Sequence, residues 1–127
     1  MSAVGRLTLR ELNEVRIEIQ DLVTRLAVKH RTVQNVKALE KDVKRTQEAL
    51  ATSSVVLDPS VTQNFYILLA ESTQNRVLVM LVKALSQIVF QAMAPFNPPL
   101  DFDLVGVRTR LTAAVKDRDE ARARHYA

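Results

Sequence analysis

Cysteine is absent from this chain of 127 residues, so disulfides and thiolate chemistry are excluded outright. Glycine occurs at only two positions, and the four prolines are confined to 59, 95, 98 and 99. The long uninterrupted stretches between those marks favour helices over a many-turned β architecture. Gly5 and Gly106 each stand alone, so no glycine loop is available to cradle a phosphate. No serine stands in an elbow or triad context, which leaves nucleophilic catalysis without a candidate. The richest apolar stretch, Val77 to Met93, is bordered by Arg76 and broken by Lys83, too short a run for a membrane span. No basic-then-apolar leader opens the chain, and a cytoplasmic protein is the simplest expectation.

What is present reads as one soluble domain. Apolar residues make up 47% and charged residues 25% of the chain, the balance of an ordinary globular protein with a real core. The formal charge of +4 invites a nucleic-acid reading, but acidic residues are interleaved with the cations throughout. Phosphate binding usually needs cations striped along one face, so a basic solvated surface is the better reading.

Local signals divide the chain into helices. Thr8 and Glu11 form a capping box, with Leu7 and Leu12 at the staple positions. Leu12, Val15, Ile19, Leu22 and Leu26 then make one apolar stripe on a helix running to about His30, with Ile17 and Val28 off that stripe. Thr32 caps a second helix whose inner face carries Val36, Leu39, Val43, Thr46 and Leu50, and which ends at Ser53-Ser54. Glu40 and Lys44 stand there in the favourable i,i+4 order. The short link between these two helices predicts antiparallel packing of one on the other. Val55-Val56-Leu57 reads as an extended connector, and Asp58-Pro59 opens a third helix lined by Val61, Phe65, Leu68 and Leu69. Asn75 caps a fourth, with Leu78, Leu81, Leu85, Ile88 and Ala92 in one seam widened by Val77, Val82 and Val89, which predicts a central position. Residues 94–99 cannot be helical throughout and read as a loop or hinge. Asp103 caps a fifth helix carrying Leu104, Val107, Leu111 and Val115, and Asp119 caps a last charged segment. The expected fold is all-α, a compact antiparallel array of five to six helices.

Four segments carry a family likeness. Asn64 to Leu78 is a helix, a brief polar break and a fresh helix opened by Asn75. Leu12-Asn13-Glu14-Val15-Arg16, Leu26 to Thr32 and Val115 to Ala121 complete the pattern in order. Together they resemble the FCD domain, the all-helical effector-sensing half of FadR-type regulators in the GntR family. The resemblance runs from about Leu9 to the C-terminus. It implies a non-enzymatic ligand-sensing and dimerisation domain, working as a homodimer with a small-molecule effector.

Many members of that family hold a divalent metal with an Asp and a His on the third helix and two His from the closing helices. The matching places here are Thr62, Tyr66, about Arg108, and a position just beyond Ala127. Neutral Thr and Tyr are poor ligands, Arg108 would repel a metal, and His30 and His125 stand elsewhere. The expectation is therefore a site without metal or other cofactor. In its stead, Arg16, Tyr66 and Arg108, with Thr62 as a weaker fourth, are candidates to bind a small organic acid between helices one, three and five. Arginine forks bind carboxylates without a metal. The competing reading pairs Arg16 with Glu14 or Glu48 and makes Tyr66 a packing residue.

Family regulators read DNA through a winged helix-turn-helix ahead of the sensor. The residues before Thr8 are too few for one, so DNA contact is expected only through a domain this chain lacks. Whether the chain is a fragment of a longer regulator or a stand-alone sensor stays open. Two alternatives compete with the sensor: a small helical enzyme of chorismate mutase type, using Arg16, Arg25 and Lys29 around a dianion, and a helical interaction module without ligand.

Overall fold

The structure is a computed structural model that describes residues 8–52, 59–93 and 103–126. Six helices follow one another: α1 (Leu9–His30), α2 (Val33–Thr52), α3 (Pro59–Glu71), α4 (Arg76–Met93), α5 (Leu104–Lys116) and α6 (Glu120–Tyr126). No strand occurs among the described residues. The connector at 55–57 and the loop at 94–99 lie outside them.

Five of the six helix starts have a cause in the described residues. Thr8 Oγ1 accepts from Glu11 N at 3.1 Å. Thr32 and Asn35 cap α2 reciprocally: Asn35 N donates to Thr32 Oγ1 at 3.1 Å, and Thr32 N to Asn35 Oδ1 at 2.9 Å. Asn75 Oδ1 accepts from Val77 N and Leu78 N at 3.0 and 3.2 Å, opening α4 directly after the turn at Gln74. Asp103 Oδ1 and Asp119 Oδ1 do the same for α5 and α6. These side-chain acceptors satisfy donors that a helix start otherwise leaves without partners.

The helices close around a core of Val23, Ala27, Leu39, Phe65, Leu69, Leu78, Leu111 and Val115. Both α1 and α2 pack on α3 and α5, not on each other. The expected α1–α2 hairpin is thus replaced by a splayed pair with two helices between them. Arg31 adopts an extended backbone at the junction, and the apolar faces on either side of it are both taken by α3 and α5.

Three further expectations need correction. Val15, assigned to the buried stripe of α1, is 54% exposed, whereas Val28, assigned outside it, is 5% exposed and belongs to the core. The buried face is Leu12, Val23, Thr24, Ala27 and Val28, rotated from the stripe because α3, α5 and α6 approach α1 from that side. Glu40 and Lys44 form no ion pair; the charged contact on α2 is Arg45 to Asp42 at 3.1 Å. Finally, α4 is peripheral. Among the described helices it packs on α3 and α1 alone, and Val77, Met80 and Leu81 stay exposed, Met80 at 71%.

Candidate functional site

The polar centre of the molecule is built by three helices. From α2 come Asp42 and Thr46, one turn apart on the inner face; the Thr46 hydroxyl donates back to the Asp42 carbonyl at 2.9 Å. From α3 come Asn64, Phe65 and Tyr66, and from α5 come Arg108 and Thr112. Arg108 is only 2% exposed. Its Nη1 donates to Thr46 Oγ1 at 3.2 Å and to the Val61 carbonyl at 3.3 Å. Its guanidinium also lies 5.1 Å from the Phe65 ring centroid and 5.5 Å from that of Tyr66, a double cation–π contact. The two rings meet edge to face at 5.8 Å.

Burial pulls the Arg108 pKa below that of a free arginine, while Tyr66 and Asp42 push it back up. Asp42 is itself 3% exposed. Its Oδ1 accepts from Asn64 Nδ2 at 2.8 Å and from Arg45 Nη2 at 3.1 Å. A guanidinium that far from water needs a nearby counter-charge and good acceptors, and α2 and α3 supply both. Asp42 also borders a groove of about 450 Å³ between α2 and α3, whose walls include Lys41, Lys44, Arg45, Asn64 and Leu68.

Of the residues expected at the site, Tyr66 and Arg108 come together. Arg16 does not join them through any described contact: half-buried near the start of α1, it donates to Asn13 Oδ1 at 3.2 Å, while Glu14 pairs with Arg10. Thr62 lies on α3, but its side chain is outside the described residues. The centre is thus framed by α2, α3 and α5, where α1, α3 and α5 were expected. Sequence reasoning missed Asp42, Thr46, Asn64 and Thr112. A signal existed for Asp42: it is a charge set beside Leu39, Val43 and Thr46 on the inner face of an amphipathic helix. Such a residue is seldom buried unless it has partners.

The residues at the family's metal positions do not suit a cation, since a buried guanidinium and a phenol occupy two of them. Among the described residues no three His, Cys, Asp or Glu side chains gather as a metal site. No helix among them is long and apolar enough to cross a membrane.

The FCD domain model matches residues 11–127. The chain belongs to the FCD domain family. FCD domains are effector-binding domains of GntR-family regulators and not enzymes, which removes the mutase alternative. Among solved structures, the fold is similar to that of E. coli McbR/YncC, with a TM-score of 0.78 at 21% sequence identity. That match covers 99% of this chain and 65% of the other, so this FCD chain spans about two thirds of the length of the protein it resembles. At this identity the likeness carries the fold alone. None of the curated proteins matches the chain.

Proposed function

We propose that this FCD domain senses a small organic acid without a metal, through Arg108 and Tyr66, and relays its occupancy through a homodimer. The observation that carries the reading is the buried arginine itself. A guanidinium held by three helices at a position where relatives place a metal ligand offers the same service as a metal: a fixed positive centre for a carboxylate. Its described acceptors include a hydroxyl and a carbonyl, and a carboxylate is a stronger partner than either of these. Arg16 and Thr62 are secondary candidates. An Arg16→Ala variant with unchanged affinity for every acid tested removes Arg16 from the site.

Dimerisation is supported by the exposed apolar face of α4, with Val77, Met80 and Leu81, and by exposed Ile17 on α1. Effector binding would then favour one dimer arrangement over another and alter the spacing of winged-helix heads carried outside this chain. A cytoplasmic setting suits that role. The test is a thermal-shift series with organic acids on the chain and on Arg108→Met. An acid that raises the midpoint of the parent and not of the variant supports the proposal. Equal shifts in both proteins contradict it.

A further inference from the structure

Two side-chain oxygens at the centre lack a partner among the described residues. Asp42 Oδ2 and Thr112 Oγ1 are shut away from solvent, and neither has a hydrogen bond among the described residues. A buried carboxylate oxygen without a donor is strongly disfavoured, so this pair calls for explanation. Asp42 cannot satisfy it by turning, because Oδ1 already accepts from both Asn64 and Arg45.

The two residues lie at one level of the fold. Arg31, just ahead of α2, donates through Nε to the Val115 carbonyl at 3.4 Å, near the end of α5. Farther along α2, Thr46 meets Arg108. These two contacts set α2 and α5 antiparallel. From the Thr46–Arg108 contact, Asp42 and Thr112 are each one helical turn back toward the Arg31 end. Asp42 and Thr112 thus share one level of the α2–α5 pair, each a turn from the Thr46–Arg108 contact.

We propose that the effector is a zwitterion, an amino acid or ω-amino acid, whose carboxylate engages Arg108 and whose ammonium engages Asp42 Oδ2 and Thr112 Oγ1. This rests on the reading of Arg108 as the effector's anchor. An ammonium brings three donors and no acceptor, the complement of these two oxygens. The charges also match: one buried cation and one buried anion meet one of each, leaving no net charge in the core. A plain acid brings a second negative charge beside Asp42 and leaves Oδ2 without a donor.

Isothermal titration of the full chain with glycine, β-alanine and 4-aminobutanoate, each against acetate, propanoate or butanoate of equal carbon number, tests this. At least one amino acid is expected to bind roughly tenfold or more tightly than its parent acid. Asp42→Asn and Thr112→Val should each erase that preference; the second keeps the side-chain shape and stays informative if the first does not fold. Equal binding of the parent acids, or a preference that survives both variants, overturns the zwitterion while leaving Arg108 as an acid anchor. Binding of neither class overturns both.

Discussion

Arg108 decides most at the scale of single residues. A charge taken almost wholly out of water is costly, and the described contacts that retain it include the Thr46 hydroxyl, the Val61 carbonyl, two ring faces and the Asp42 carboxylate nearby. A buried charge of this kind gives weak evidence for stability and better evidence for a role. Arg108→Met keeps much of the stem volume and leaves Asp42 its contact with Arg45, so it should destabilise the fold less than truncation to alanine. Arg108→Ala should cost about 2–5 kcal/mol through the cavity it leaves. Urea unfolding of both variants checks this, and a Met variant as unstable as the Ala variant would make the charge a structural requirement. That Arg108 and Tyr66 meet was legible because both stand at places the family pattern brings together. Asp42 and Thr112 were not, because their weight comes from the chain that buries them, and periodicity alone does not reveal which polar residue finds a partner.

Among elements, the decisive contacts are two arginines that tie the turns together. Arg31 reaches the Val115 and Lys116 carbonyls at the end of α5. Arg118, in the turn after α5, donates in return to the carbonyls of Val28, Lys29 and Arg31 at 3.0, 2.8 and 3.3 Å. Each guanidinium supplies donors to a helix end that has spare acceptors. Arg118 also has φ of 55°, in the left-handed region. Arg118→Ala should lose about 1–2 kcal/mol after allowance for solvent at this exposed site. Arg118→Gly should be milder by about 1 kcal/mol, because glycine meets no penalty at that backbone angle. Thermal unfolding of the two variants gives the order; a worse glycine variant would refute it.

The junction of α6 with α1 supplies a pH dependence. Arg124 Nε donates to Asp21 Oδ1 at 2.8 Å and Arg25 Nε to Asp21 Oδ2 at 3.1 Å. The Arg124 hydrogen bond above all holds the Asp21 carboxyl below its usual 3.8, partly opposed by burial. A carboxyl depressed in the folded state binds protons more readily once unfolded, so stability rises with pH across that interval. Its contribution is present above 3.8 and lost as the pH falls through the lower folded value. Asp21→Asn should therefore lower the melting midpoint at neutral pH and make little difference in stronger acid, as followed by circular dichroism. Helix existence, order and caps were legible because Thr8, Thr32, Asn75, Asp103 and Asp119 act within one turn of their own position. Which face turns inward was not, as Val15 and Val28 show, since that depends on neighbours distant in sequence.

For the whole molecule, α4 is the element on which the proposed dimer rests. Its apolar residues encircle much of the helix, a pattern that suits either a central element or one covered by a partner. The fold puts α4 at the edge, with Val77, Met80 and Leu81 toward solvent. Leu81→Lys should convert a dimer to monomer without loss of helix content, as read by light scattering after size exclusion. Unchanged mass would place any dimer contact elsewhere.

The central claim is that the cluster on α2, α3 and α5 holds a small acid through Arg108. Native mass spectrometry of the chain and of Arg108→Met, after incubation with one mixture of organic and amino acids, tests it most directly. A small-molecule adduct on the parent that is missing from the variant is the result predicted here. Bare protein in both spectra, or the same adduct on both, would contradict it.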